Sequence, residues 1–391
     1  MTRKSIREYV QAIRERYQKA SKAVKTKILD EFTEATGLHR KAAIRLLNRV
    51  KKPSVTRRRG RPRKYSNEVV VALKTVWEAG DRLCSKRLHP FLPEMVRILS
   101  KDGESQMIGA VGAQLCRMSP STIDRRLRPY RQQGGRRPFS TTRPGSLLKS
   151  SIPIRTFTDW EENRPGYLEV DTVAHCGESV VGFYLNTLMA VDVASGWTEG
   201  SAVWGKSQER VGSAIHGIRR RFPFPILGLD SDNGGEFINQ HLFNYCRREH
   251  IVFTRARSYK KNDSCHVEQK NGNIVRRVIG YDRYSSRQSL ETLNQIYYLL
   301  HLYINFFQPV MKLISKSRHG AKVYKVYDIA QTPYQRVSKS ELLTGAKKAE
   351  LAVTYARLNP MKLLKQINHS LEYLWTIKER SMTSSHRINQ E

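Results

Sequence analysis

The sequence predicts a mixed α/β sheet domain with flanking helices, preceded by all-α units and followed by a small C-terminal module. Three observations predict it. Between about residues 161 and 307, apolar runs of strand length alternate with amphipathic stretches of helix length. Upstream, apolar residues recur at three- and four-residue steps, as one helix face requires. Two polar stretches rich in Arg, Gly and Pro, 53–65 and 132–160, hold too few apolar residues to pack a core and read as linkers. At 391 residues the chain is long enough for two or three separate cores.

Residues 1–52 read as a helical, basic unit. Ile6, Tyr9, Val10, Ile13 and Tyr17 line one helix face. A second stretch, Lys25 to Thr36, runs up to Gly37, which suits a turn needing positive φ. A third, His39 to Val50, turns Ala42, Ala43, Ile44, Leu46 and Leu47 inward and Arg40, Lys41, Arg45 and Arg49 outward. Helix, glycine turn, basic helix is the outline of a helix-turn-helix, whose second helix enters the major groove. A small basic helical bundle shares that outline. Arg40 and Arg45 are the candidate DNA contacts here. In the linker 53–65, Arg59-Gly60-Arg61-Pro62-Arg63 resembles an AT-hook, whose arginines (Arg59, Arg61 and Arg63) enter a narrow minor groove. The alternative is a solvated linker that neutralises phosphates.

Residues 66–131 form a second helical unit. Val69, Val70, Leu73, Val76 and Trp77 make one face, and Phe91, Met95, Ile98 and Leu99 another. Its last helix opens with Ser119 as N-cap and Pro120 at the first helical position, then exposes Arg125, Arg126 and Arg128. This reads as a second helix-turn-helix, with Arg125 and Arg126 toward DNA. After the linker 132–160, the core 161–307 offers strands at 167–174, 183–192, 198–203, 226–230 and 250–255. Helices are expected at 206–221, 235–248, 264–280 and 288–307. The basic region 308–391 is the least patterned: Lys322 to Tyr327 begins a small β unit, expected to be a basic, DNA-contacting module, and a helix over 339–356 leads to a polar, frayed terminus.

Basic residues number 69 against 35 acidic ones, a formal net charge of +34. Residues 1–160 hold 37 Lys/Arg and 13 Asp/Glu, so +24 of that excess lies there. Such a charge says little about fold and much about partners: polyanions, nucleic acid first, an anionic membrane surface second. No run reaches the roughly 18 apolar residues of a membrane span, and Met1 to Ile6 lacks a leader-like apolar run, so a soluble cytoplasmic protein is expected. Five scattered cysteines without a C-x-x-C pair indicate neither a disulfide framework nor zinc.

Three carboxylates stand out. Asp171 sits in the apolar run Tyr167-Leu168-Glu169-Val170-Asp171-Thr172-Val173, where an unpaired charge is costly and must face a polar site. Asp232 sits in Asp230-Ser231-Asp232-Asn233-Gly234-Gly235-Glu236-Phe237, at a strand end before a turn pair. Glu268 follows 36 positions later on an expected helix, with Ser264, Cys265, Asn271 and Val275 on the same side. Two acids leaving strand ends and one on a helix can converge on a pair of divalent metals, which stabilises both oxygens of an in-line phosphoryl displacement. Asp230 rivals Asp232, and the spacing and the following Asn-Gly favour Asp232.

This order of elements, with an acid on the first strand, Asp-Asn-Gly-x-Glu-Phe after the fourth and a helical Glu beyond, resembles the catalytic core of the retroviral-integrase and transposase superfamily. Pro144 to Lys149, Val173 to Gly177, Gly280 to Tyr284 and Asn305 to Pro309 carry the resemblance further, to bacterial insertion-sequence transposases. It implies an RNase H-like five-stranded mixed sheet and a DDE-type enzyme that cleaves and joins DNA. Asp171, Asp232 and Glu268 would be its catalytic residues and the ligands of two Mg²⁺, with Mn²⁺ able to substitute. It also implies element ends and target DNA as partners, a dimer or larger assembly on them, and a bacterial, nucleoid-associated location. A mobile DNA-touching loop would include Lys260 and Lys261, with Lys270 and Arg276 extending the basic surface along the helix. His175, on the face of Asp171, would reach the site or hold the structure, and Asp192 would stabilise a turn. The zinc module that precedes the core in retroviral integrases is not matched. The rival readings are an inactive DNA-binding regulator and a host nuclease of the same fold.

Overall fold

The computed structural model describes residues 1–49, 64–101, 109–131, 164–256 and 264–388, apart from the side chains of Arg3 and of 378–388. The chain divides into two compact units, Met1–Lys64 and Tyr65–Glu391.

The first unit is three helices: α1 (Arg3–Lys19), α2 (Lys22–Thr36) and α3 (Arg40–Asn48). Their apolar stripes meet in a small core of Val10, Tyr17, Ile28, Leu29, Phe32, Ala43 and Leu47. α2 stops at Gly37, whose φ of 71° is left-handed, as its sequence position predicts. Arg14 and Gln18 of α1 donate to the carbonyls of Leu46 and Leu47 at 3.0 and 3.3 Å, satisfying the open end of α3.

The second unit begins with α4 (Asn67–Ala79), α5 (Ser85–Lys101), α6 (Ala110–Cys116) and α7 (Pro120–Leu127). Ser119 caps α7 and Pro120 opens it, where its missing N–H costs nothing. A five-stranded sheet follows: β1 (Tyr167–Ala174), β2 (Asn186–Asp192), β3 (Thr198–Val203), β4 (Gly228–Ser231) and β5 (Val252–Arg255), in the order β3-β2-β1-β4-β5. β1–β2 and β2–β3 are antiparallel, whereas β1–β4 and β4–β5 are parallel. This is the RNase H-like mixed sheet, with α8 (Gln208–Arg219), α9 (Gln240–Arg248), α10 (Cys265–Lys270) and α11 (Arg287–Phe307) around it. Every residue of β2 is buried, which only a sheet covered on both faces allows. The apolar cluster is continuous from Tyr65 through the sheet to Leu374, so α4–α7 share one core with the strands.

Several boundaries differ from expectation, each for a local reason. β2 begins at Asn186 because Leu185 instead donates to Tyr284 O (2.8 Å) and accepts from His175 N (2.9 Å). α9 starts at Gln240, not 235: the residues after Asp232 are spent on turns, and Asn239 is the N-cap. The helix expected over 264–280 is α10 continued by a π-helical segment, Asn271–Ile279. The expected frayed terminus is a 29-residue helix, α14 (Pro360–Ile388). Its Leu363, Ile367, Leu371, Leu374 and Ile377 recur at helical steps and are buried. Before it come the β6 (Leu313–His319) and β7 (Lys322–Tyr327) hairpin, α12 (Pro333–Ser338) and α13 (Gly345–Arg357). Among the described residues no helix is long and apolar enough to cross a membrane.

Candidate active site

The backbone ladder places two of the predicted acids. β1 and β4 run parallel with Val170 opposite Ser231. Asp171 and Asp232 are the next residue on each chain, so they leave neighbouring strands side by side. Strand alternation turns Glu169 and Asp171 to one face of β1. Asp171 and Asp232 are each half-buried. Burial, then the charge of Asp232, push the Asp171 carboxyl from 3.8 up to about 8, against a backbone N–H from Thr172 and the Lys206 charge, which lower it. Burial and the neighbouring Glu236 raise Asp232 too, although its Oδ1 accepts the Gly234 N–H at 2.9 Å.

Glu236 is the acid that the triad reading missed. It is only 6% exposed, its Oε1 accepts the Thr172 hydroxyl at 2.9 Å, and the Lys206 ammonium lies 2.5 Å from the same oxygen. Its signal was the Glu of Asp-Asn-Gly-x-Glu-Phe, whereas Lys206, in the loop before α8, gave no signal. Gly234 is required by this arrangement: a Cβ there would lie 2.7 Å from the Glu236 carboxyl carbon.

Glu268 lies in the first turn of α10 and is exposed. The same helix is nonetheless fastened to the site at two points. Glu169, fully buried, accepts the N–H groups of His266 and Val267 at 2.8 and 3.0 Å, a carboxylate at a helix N-terminus. Asn271, the first π-helical residue, donates to Asp171 Oδ2 at 2.7 Å. Among the described residues no three His, Cys, Asp or Glu side chains group closely enough to hold a metal ion. Asp232 and Glu236 both act electrostatically on Asp171, and Glu236 acts on Asp232.

The remaining candidates fall as follows. Asp230 is buried and accepts the Thr254 hydroxyl at 2.6 Å. Asp192 accepts Gly166 N–H (2.8 Å), Ser195 N–H (2.6 Å) and the Ser195 hydroxyl (2.6 Å), holding the β2–β3 turn. His175 does not reach the site: it is fully buried, bonded through Nε2 to Thr187 (2.7 Å) and onward to Tyr297 (2.7 Å). Burial holds its imidazole neutral, down to about 3. Arg40 and Arg45 are exposed on α3, Arg40 paired with Asp30, and Arg125 is exposed and Arg126 half-buried on α7. Lys270 is half-buried, and burial with the Arg87 charge pushes its ammonium down to about 8. The Arg276 guanidinium lies over the Tyr281 ring at 5.1 Å. Arg59, Arg61, Arg63, Lys260 and Lys261 lie outside the described residues.

The donor set fits Mg²⁺. Asp171 and Asp232 are hard oxygen ligands, and Mg²⁺ takes one or two carboxylates and completes its shell with waters and phosphate oxygens. Burial first, and the neighbouring carboxylates second, raise both pKa values, a penalty on the charged forms that a divalent cation relieves.

No protein-family model matches the chain. The uncharacterized protein y4rM of Sinorhizobium fredii is 42% identical over 333 residues, covering 84% of this chain and 94% of the relative. Among solved structures, the catalytic core domain of BIV integrase aligns at TM-score 0.29 and 18% identity, covering 44% of this chain and 91% of that one. A simian T-cell lymphotropic virus intasome in complex with PP2A regulatory subunit B56 gamma aligns at 0.32 and 15%, covering 64% and 76%. The HTLV-2 integrase core in complex with magnesium aligns at 0.28 and 17%, covering 38% and 91%. These TM-scores are low, and the fold assignment rests on the strand order and register.

Proposed function

The chain belongs to the family of the uncharacterized Sinorhizobium fredii protein y4rM, and from its own residues we propose that it is a DNA transposase. The observation that carries the reading is the pair Asp171 and Asp232, set side by side by the β1–β4 ladder in a chain of net charge +34. Asp171 and Asp232 would hold one Mg²⁺, and Asp171 (or Asp232) with Glu268 a second, or Mn²⁺ in their place. Bound there, the ions supply Lewis-acid stabilisation of the attacking and leaving oxygens. Asn271 orients Asp171, and Glu236 keeps Lys206 and Thr172 in place beside the acids. The reaction is hydrolysis of a phosphodiester to a 3′-hydroxyl, followed by attack of that hydroxyl on a target phosphodiester, which releases the target's own 3′-oxygen. No covalent protein–DNA bond is needed.

Residues 1–52 and 66–131 would bind the element ends as helix-turn-helix units through Arg40, Arg45, Arg125 and Arg126. Arg59, Arg61 and Arg63 would enter a minor groove. Lys260, Lys261, Lys270 and Arg276 would line the path of the cleaved strand, contacts that position DNA without reading it. Joining two ends requires a dimer or larger assembly, acting in the bacterial cytoplasm on nucleoid DNA. The test is strand cleavage and joining on duplexes taken from the flanks of the coding sequence, in Mg²⁺ or Mn²⁺. Asp171→Asn, Asp232→Asn and Glu268→Gln are each expected to abolish both steps and retain duplex binding. Unchanged activity in Asp232→Asn would sink the site assignment, and cleavage without joining would favour a host nuclease.

A further inference from the structure

The β6–β7 hairpin is built against its own stability. All residues of both strands are exposed, Ile314 by 66%, Val326 by 54% and Tyr324 by 53%. It forms a sheet of its own, so among the described residues neither face is packed and both outer edges are unpaired. A lone two-stranded hairpin is marginal in water. The register adds a penalty, because Lys316 lies directly opposite Lys325, and like charges in that position repel. Alternation puts Arg318 on the same face. From Leu313 to Tyr327 there is no acidic residue, and among the described residues none of Lys316, Arg318, Lys322 and Lys325 enters an ion pair.

The base of this ribbon, by contrast, is tightly held. Asp328 accepts the Lys312 N–H through Oδ1 at 2.6 Å and returns its own N–H to Lys312 O at 2.9 Å. Its Oδ2 pairs with Arg336 at 2.7 Å, and Arg336 also donates to Val310 O at 2.9 Å. Val310 and Gln331 close the stem with two backbone bonds, 2.8 and 3.1 Å. A clamped stem thus carries a bare basic ribbon on the order of 20 Å long, at about 3.4 Å per residue.

We propose that the β6–β7 ribbon is a duplex-DNA-binding arm, whose Lys316, Arg318 and Lys325 face takes backbone phosphates. The proposal rests on the reading that the protein works on DNA. A two-stranded ribbon is narrow enough for the major groove, about 12 Å wide. Anionic phosphate between Lys316 and Lys325 removes the repulsion that the free ribbon carries. Tyr324 and Val326 are exposed on the opposite face, and Val323, opposite Arg318, is the apolar neighbour of the three cations on theirs.

The test uses the full chain with metal chelated, a 30-base-pair duplex of arbitrary sequence, and fluorescence anisotropy over a salt series. Replacing Lys316, Arg318 and Lys325 together by Gln is expected to weaken binding at least about tenfold near 0.1 M salt. It should lower the slope of log K against log salt by about 2 to 3, near 0.9 per lost phosphate contact. Thermal unfolding should not move, since the ribbon buries nothing. Lys325→Glu gives a second, independent reading: it forms an opposite-charge pair with Lys316, so the ribbon is strengthened while DNA affinity still falls. Wild-type binding with an unchanged slope in both variants overturns the arm and leaves the DNA reading intact. Failure of the wild type to bind any duplex overturns the DNA reading itself. Loss of binding to phosphatidylserine-containing vesicles, or of self-association without DNA, at unchanged duplex affinity would also overturn the arm.

Discussion

Replacing Asp171 by Asn should stabilise the metal-free protein, and increasingly so as pH rises. In the folded chain the carboxyl is held up at about 8 by burial and by Asp232, against 3.8 when unconstrained. The folded state therefore binds more protons than the unfolded state between those values, and wild-type stability falls as pH rises through that window. The shift is about four units, worth about 1.4 kcal/mol each, so complete ionisation would cost on the order of 5 kcal/mol. Asp171 is half-buried, and water and local relaxation offset part of that cost, leaving a net gain of about 2 kcal/mol for Asn above pH 8. The substitution costs little in hydrogen bonds. Thr172 N–H still finds the side-chain oxygen, and Asn271, whose Oδ1 is buried without a partner, can turn its amide to accept from the new NH₂. Denaturant unfolding in EDTA between pH 4 and 8.5 provides the measurement. The expected difference is near zero at pH 4 and largest above pH 8, and saturating Mg²⁺ should close the gap by stabilising only the wild type. A difference that is flat with pH, or a variant less stable at pH 8, would refute the crowded-charge account of this site.

Two further substitutions test the seat of Glu236 and a buried carboxylate of β3. Gly234→Ala drives a Cβ to 2.7 Å from the Glu236 carboxyl carbon; because that neighbour is a side-chain end, unfolding should shift by less than about 1 kcal/mol. Strand cleavage should fall at least about tenfold as Glu236 leaves Lys206 and Thr172, about 1.4 kcal/mol of transition-state stabilisation, and full activity would show that the Glu236 position is immaterial. Glu199→Ala removes a fully buried carboxylate that accepts from Trp197 Nε1 at 2.8 Å, contacts His301 Nδ1 at 2.6 Å and lies 3.2 Å from Arg221. The expected loss is about 3 kcal/mol in denaturant unfolding, the usual cost of stranding a buried ion pair's partners; a loss below 1 kcal/mol would show that water reaches them.

The parts of the site that local chemistry dictates were legible in the sequence. A charge in the apolar run of β1 singled out Asp171, and the Asn-Gly turn pair favoured Asp232 over Asp230; the structure sets Asp171 and Asp232 just beyond paired positions of β1 and β4. The five strands followed from runs of apolar residues. What escaped depends on contacts between distant segments. Lys206 is an ordinary loop lysine until folding brings it to Glu236, and His175 looked available because alternation gives its face but not what covers it. Glu169, two residues before Asp171, drew no role in the sequence, yet it closes the N-terminus of α10. α14 was hidden by its own surface: Lys362, Lys365 and Gln366 make the segment polar on average, while every third or fourth residue is core.

The π-helical segment behind Glu268 lies between two anchored ends of its helix. A π turn, with its i→i+5 bonds, carries about one residue more than an α turn, so Asn271–Ile279 acts as a register insertion between Glu268 and the buried Val275 that anchors the helix. One residue of winding is on the order of 100° of rotation about the axis. Glu268 itself is bracketed by two ties, His266 and Val267 to Glu169 before it and Asn271 to Asp171 after it, so a change of winding beyond Asn271 is taken up between that tie and Val275. Gly272, exposed and with nothing near where a Cβ would stand, lies in that interval. The extra residue of the π stretch thus lets the buried end of the helix keep its packing while the end beside Asp171 keeps its own.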